Sequence, residues 1–465
     1  MLRCSCSCSK RLASASPPVV RSTPSSAATS PSRHAFSTFS ASNKRKSASR
    51  LVQDNLCVPP TPSPAGQTRA ASSEQVFRTR NGSVKVNLTA KGAVGVAQSR
   101  GERPYQEDAH AVHSVALPRS ALKWNVVEDR LGAGWNPELL EGFEGEAPQG
   151  EGKERKRQVA FFGVYDGHGG AETSSFLRSN LHSLVECARG DDIASTIDAY
   201  RSLGGYLKRY RGGPLDRFRK GSAAYNERKG ISLDEMAVLA FLQADNAALS
   251  DPATGKSGST ATVALLHSLD LPHSNPYYAS SLLSLTIAHL GDTSALLSSS
   301  SQGRARRLTE PHHGDSRTES ERLRTSGTGI LTDSFGESRF GGTLANTRGI
   351  GDREFKTLGV IGEPEITKRV LKGEEWAFLV LTSDGITDVM SDQEIVDLCR
   401  GIKDPTLAAK KIVGFAEDVG GEDNMTALVI PLPGWGRMGG LDTTADRREY
   451  RLRQAAGSNT RQKRM

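Results

Sequence analysis

The stretch VAFFGVYDGHGG occupies Val159–Gly170. An apolar run from Val159 to Tyr165 ends at an aspartate, and Gly-His-Gly-Gly follows at once. A short apolar run closed by a turn signal predicts a buried strand. Asp166 therefore stands at a strand tip, where a charge is costly unless something pairs with it. The glycines beside it let backbone and ligand approach closely. Together these features point to a carboxylate that holds a metal ion.

The arrangement recurs. HLGDT carries Asp292, TSDGITD carries Asp384 and Asp388, GEDNM carries Asp423, and RPYQEDAH adds Glu107 and Asp108. A single Asp-Gly after a strand is ordinarily a turn. Repetition at strand ends makes turns alone a poor explanation. If the carboxylates converge, each pair about 4 Å apart repels by roughly 4 kcal/mol at an effective dielectric near 20. Such a cluster opposes folding unless cations sit within it. Hard oxygen ligands suit Mg²⁺ or Mn²⁺. Zinc is disfavoured, because no His/Cys set has zinc-site spacing. An aspartate bridging two ions is the two-metal arrangement for attack on phosphorus. Gly167 has no side chain to keep a metal from its carbonyl. His168 is suited to give a proton to a leaving oxygen; its plainer reading is a structural histidine. Arg103 can take two phosphate oxygens at once; its plainer reading is a surface ion pair.

The strand signal spreads along the chain. Further runs are ATVALL (261–266), LLSLTIAHL (282–290), AFLVLTS (377–383) and TALVIPL (426–432). Helical periodicity covers 171–188, with Leu177, Leu181 and Leu184 on one face, and returns at 233–249. Ser391 with Glu394 forms a capping-box pattern at a third helix. Strands dominate and helices come in separated blocks, which predicts a layered α+β fold.

The net charge of +8 arises in the termini. Residues 1–53 hold nine Lys or Arg and no acid, and the last twenty residues hold seven basic and two acidic. Residues 54–445 carry 44 basic and 50 acidic side chains, a net of −6. A mildly acidic body argues against nucleic acid as a partner. No apolar run has the roughly 18 residues of a membrane helix. Residues 1–53 are Ser-, Ala- and Arg-rich, which matches a transit peptide for mitochondrial import. Residues 54–84, with PPTPSP, read as a linker, and 85–435 as the folded domain. Surface insertions are expected near 129–158 and 211–230, and a solvated basic tail over 436–465. The six cysteines suggest no disulfide framework. TGKS (254–257) is no P-loop, since Ser250 stands where the motif needs glycine.

Taken together, RPYQEDAH, FFGVYDGHGG, SGSTATVALL, AHLGDTSALL, ESRFGGTLANTRGIGDREFK, VLTSDGITDVMSDQEI and GEDNMTALVI resemble the metal-dependent Ser/Thr protein phosphatases of type 2C. The segments run in that family's order from about residue 93 to 432, and the wording is most like fungal mitochondrial members. The resemblance implies a four-layer α-β-β-α sandwich, with a central antiparallel β-sandwich flanked by helices. It implies a dinuclear Mn²⁺ or Mg²⁺ centre with positions for a third ion. Asp166 resembles the bridging ligand and Gly167 the carbonyl ligand. Glu107, with Asp108 beside it, resembles a ligand to one ion, and Asp384 and Asp423 resemble ligands to the other. Asp292 and Asp388 resemble the third-ion positions, Arg103 the phosphate-binding arginine and His168 the general acid. The implied reaction is hydrolysis of phosphoserine and phosphothreonine by a metal-bridging hydroxide. Implied substrates are phosphoproteins, the pyruvate dehydrogenase complex among the candidates, met by a monomer in the matrix or intermembrane space. Two other readings stay open: a catalytically silent binding module, and a hydrolase of a small phosphorylated metabolite.

Overall fold

A computed structural model describes residues 72–79, 82–128, 156–218, 230–254, 256–270, 275–324, 330–332, 338–340 and 344–462. All of these belong to one compact unit, Asn55–Met465. The expected transit segment 1–53, residues 54–71 of the expected linker and residues 129–155 of the first expected insertion lie outside the described residues.

Two five-stranded antiparallel sheets organise the described chain. The first has the spatial order Glu365–Lys372, Leu282–Leu290, Ala261–Ser268, Lys156–Tyr165 and Ala109–Pro118. The second has the order Ala305–Arg307, Ser294–Ser299, Trp376–Thr382, Met425–Pro431 and Gly95–Ser99. Alternation along each strand divides the core, because successive side chains point to opposite faces. Ala160, Phe162 and Val164 pack with Leu379, Leu381, Leu428 and Ile430 between the sheets. Val159, Phe161 and Tyr165, from the same strand, pack with Leu177, Leu181 and Phe241 of the helices Glu172–Cys187 and Leu233–Ser250. On the far side, Phe378, Val380, Ala427 and Val429 meet Ile395, Ala408 and Ile412 of Asp392–Leu398 and Pro405–Asp418. The result is a four-layer α-β-β-α sandwich. Both faces of each central strand are covered, which is why these strands read as continuous apolar runs rather than alternating ones. Phe162 is fully buried between the sheets, so Phe162→Ala should cost about 3–5 kcal/mol.

Capping boxes start two helices, Ser232 with Glu235 and Ser391 with Glu394. Asp404 accepts from Thr406 N ahead of Pro405, a good first helical residue because its missing N–H is not needed there.

Three organisational expectations change. The linker to residue 84 gives way to a hairpin, Glu74–Thr79 paired with Gly82–Asn87, and Ser72 O accepts from Ser114 N on the neighbouring edge strand. In the second expected insertion, Leu215 and Phe218 of Gly213–Phe218 are buried in the helix-side core; residues 219–229 lie outside the described residues. The expected solvated tail contains a helix, Ala445–Gln462. Arg451 of that helix donates to Glu394, whose side chain is fully buried, and its guanidinium lies over Phe415.

Candidate metal centre

Register brings the strand-tip carboxylates to one end of the two sheets. Ala109 pairs with Tyr165, so Asp108 and Asp166 leave adjacent strands side by side. Ala261 pairs with Leu290, which sets the Gly291–Asp292 turn beside that end. In the second sheet Thr382 pairs with Ala427, so Asp384 and Asp423 emerge together. Asp384 opens the short helix Asp384–Thr387, and Ser383 holds the cap position. Gly291 adopts φ 98, and a Cβ there would lie 2.4 Å from Thr260. A Cβ on Gly167 would lie 2.4 Å from Glu107 O, so only glycine fits that approach.

Asp166, Asp292 and Asp384 each offer a carboxylate oxygen within 4.8 Å of the other two. Burial pushes the Asp166 carboxyl well above the usual carboxylate range, and the charges of Asp384, Asp108 and Asp292 push the same way. Asp384 is raised to about 8, by burial first and then by Asp292. Asp108 is raised to about 6 by burial, against the hydrogen bonds it accepts from Thr426 and Ser383. Asp292 moves down: burial opposes this, but a hydrogen bond from His313, its charge and a bond from Asn346 outweigh burial.

The other expected residues surround this triad. Asp108 Oδ2 accepts from Ser383 Oγ at 2.8 Å and Thr426 Oγ1 at 2.7 Å. Asp423 accepts from Arg103 Nη2 at 2.6 Å. Glu107 turns its carboxylate to Gly170 N, at 2.7 Å, and is not a member of the triad. Asp388 is exposed at the end of its short helix, close enough for its charge to raise Asp384. His168 Nε2 donates to Asp352 Oδ1 at 2.8 Å. Asp292, expected from the resemblance at a third-ion position, lies in the compact triad with Asp166 and Asp384.

Several supporting residues escaped the sequence reading. Asn346 Nδ2 donates to Asp292 Oδ2 at 2.8 Å, and His313 shares that oxygen at 3.3 Å. Asn424 accepts from Glu107 N and donates to Arg100 O and Tyr105 O, which fixes the loop that presents Arg103. Its position directly after Asp423 was the available signal. Asp352 lies 184 residues from His168, and nothing local marks the pair.

The donor set fits a hard divalent cation. Burial and mutual repulsion disfavour the charged forms of two of the three clustered carboxylates, Asp166 and Asp384, and the ligands are all oxygen. Asp108 Oδ1 and Asp292 Oδ1 are buried with no hydrogen-bond partner among the described residues. A buried carboxylate oxygen without a partner is costly, and a bound cation is the kind of partner such an oxygen lacks.

Comparison with known proteins agrees with this chemistry. Residues 132–425 match the family described as Protein phosphatase 2C. Protein phosphatase 2C homolog 4 of Schizosaccharomyces pombe is 38% identical over 281 residues, 59% of this chain and 71% of that relative. "Protein phosphatase 1K, mitochondrial" of Xenopus laevis is 33% identical over 280 residues, 60% of this chain and 62% of that relative, less than two thirds of its length. A phosphatase crystal structure from Toxoplasma gondii aligns with a TM-score of 0.47 at 17% identity, over 73% of this chain and 92% of that one.

Proposed function

The chain belongs to the protein phosphatase 2C family and is a protein serine/threonine phosphatase; from that premise we propose that it hydrolyses phosphoserine and phosphothreonine in mitochondrial phosphoproteins, using Mn²⁺ or Mg²⁺. The observation that carries the metal assignment is the approach of Asp166, Asp292 and Asp384 oxygens to within 4.8 Å of one another.

Asp166, Asp292 and Asp384 would hold the ions, with Asp108, Asp423 and the Gly167 carbonyl beside them, and Glu107 and Asp388 at the margin. Bound there, the ions supply a water of lowered pKa and neutralise charge on the phosphoryl oxygens. Arg103 binds the phosphate, since its guanidinium matches two phosphoryl oxygens and its side chain is half exposed. His168 gives a proton to the seryl or threonyl oxygen as it leaves. Ser383, Thr426, Asn346 and His313 hold the carboxylates in orientation. The mitochondrial reading draws on the acid-free, Arg- and Ser-rich composition of residues 1–53 and on the printed name of the Xenopus relative. The catalytic domain is taken to run from the Glu74–Asn87 hairpin to the helix Ala445–Gln462.

The test is phosphate release from a phosphoserine peptide by the full chain, with Mn²⁺, with Mg²⁺ and with EDTA. Release that needs metal and disappears in Asp384→Asn is expected. Metal-independent release, or full turnover in the variant, would overturn the assignment.

A further inference from the structure

We infer that Asp352 is a positioning residue for the proton donor: it holds the His168 ring through Nε2 and leaves Nδ1 as the nitrogen that serves the leaving oxygen. This rests on the reading of His168 as proton donor given above.

The backbone gives the first reason. Asp352 is the single non-glycine residue with positive φ among the described residues, at φ 51. L side chains avoid that left-handed region, Asp and Asn less than others. Gly351, its neighbour, already takes φ 87. A turn alone would be served at least as well by a second glycine. Backbone strain retained at one residue points to a role for its side chain.

That role is not capping. Asp352 stands at the N-cap position of Arg353–Lys356, yet its side chain makes no capping bond. Oδ1 accepts from His168 Nε2, while Oδ2 is buried without a partner among the described residues. The carboxylate is 6% exposed and the ring 36%. The ring therefore presents one edge to Asp352 and keeps the other accessible. No other described side chain is hydrogen-bonded to His168.

The surroundings are cut to fit this pair. Gly167–His168 pairs with Gly258–Ser259, which pairs with Ile350–Gly351, in a small three-stranded sheet apart from the two large ones. A Cβ on Gly258 would lie 2.2 Å from His168 Nε2 and 2.3 Å from Asp352 Oδ1. Beneath the turn, Asp245 Oδ1 accepts from Gly351 N at 2.8 Å. Lys356 Nζ lies 2.7 Å from Asp245 Oδ2 and donates to Gly349 O at 2.6 Å, and both side chains are fully buried. Tyr200 donates to Asp245 and accepts from Gly362 N. This buried network fixes the Gly349–Asp352 turn, and through it the ring.

The chemistry balances simply. The proton on Nδ1 passes to the seryl oxygen as its bond to phosphorus breaks. Water forms the new phosphorus–oxygen bond, so the products are the serine hydroxyl and phosphate. The Nε2–H stays on His168 and donates to Asp352 Oδ1 throughout.

Two substrates separate positioning from a merely structural role. A phosphoserine peptide needs its leaving oxygen protonated; p-nitrophenyl phosphate does not. In the full chain with Mn²⁺, Asp352→Gly should lower kcat on the peptide by about 10- to 100-fold, with KM little changed. On p-nitrophenyl phosphate it should stay within about threefold. Glycine takes φ 51 without strain, so the melting temperature should hold. In a His168→Gln background, Asp352→Gly should cause no further loss, because the two act as one unit. Equal losses on both substrates, or losses that multiply in the double variant, would overturn the inference. Should Asp352→Gly fail to fold, Asp352→Asn, which suits the same backbone, is judged by the same criteria. If His168→Gln itself shows no preference between substrates, the proton-donor reading fails instead.

Discussion

Arg103 Nη2 donates to Asp423 Oδ2 across 2.6 Å, so the residue suited to phosphate and a carboxylate whose charge acts on Asp384 hold each other. Their side chains are 54% and 38% exposed. A pair that open to solvent contributes about 0–1 kcal/mol. An incoming phosphate monoester competes for the same guanidinium, which the Asn424-pinned loop presents ready-made. Arg103→Ala should therefore raise KM for a phosphopeptide about tenfold or more while kcat changes less. Thermal unfolding should hardly move. An unchanged KM in steady-state assays would contradict phosphate binding here.

Metal removal should make stability depend on pH in a defined direction. Asp384 titrates near 8 in the fold and near 3.9 when unfolded. Between these values the folded state binds more protons, so stability falls as pH rises from about 4 to about 8 and levels off above. Asp292 is shifted downward and acts only below that window. A divalent cation takes the place of the protons. Melting curves from pH 5 to 8 should thus fall steeply in EDTA and stay nearly flat in Mn²⁺. Parallel curves would show that no cation meets these carboxylates.

Glu319 joins two arginines below the site. Oε1 accepts from Arg348 Nε at 3.0 Å and Nη2 at 2.7 Å, and Oε2 accepts from Arg322 Nη2 at 2.8 Å and Thr347 Oγ1 at 2.6 Å. Burial resists the charge, yet Arg348 and Arg322 hold the carboxyl down at about 2. A depressed carboxylate contributes stability above its unfolded pKa, about 4.3, and loses it as pH falls through about 2. Glu319→Gln leaves two largely buried guanidiniums short of a partner and should cost about 3–5 kcal/mol. Because Thr347 and Arg348 follow Asn346, which orients Asp292, activity should fall as well. Chemical denaturation and turnover measured together check both effects.

The helix Ala445–Gln462 should behave as part of the fold. Arg451 reaches Glu394 at 3.2 Å and donates to Val389 O, next to Asp388. Arg447 approaches the same carboxylate at 3.5 Å. Arg451→Ala strips a partly exposed partner from a buried glutamate and should cost about 1–3 kcal/mol. Removal of residues 441–465 should cost more. Unchanged unfolding midpoints in both variants would make the helix a passenger.

The central strands and the carboxylate tips were legible because each is a local pattern: an apolar run, then Asp in a Gly setting. The capping boxes at Ser232 and Ser391 are local too, though only the second stood out. What stayed hidden was stabilised by distant or polar partners. The last helix shows no apolar stripe, since it docks through Arg447 and Arg451 on Glu394 rather than through leucines. The Glu74–Asn87 hairpin follows a Pro-rich run and leans on an edge strand through Ser72 and Ser114. Leu215 and Phe218 were masked by the Gly and charged residues around them. Nothing in the local sequence marks Asp352; its left-handed backbone and its bond to His168 appear only in three dimensions.

The gathering of Asp166, Asp292 and Asp384 into one cation site is tested most directly by calorimetric titration of Mn²⁺ into the full chain, wild type beside Asp384→Asn. The wild type should bind Mn²⁺ and the variant should bind at least about tenfold more weakly, the loss expected when one charged ligand becomes a neutral amide. Equal affinity in the two proteins would contradict a shared metal site at these carboxylates.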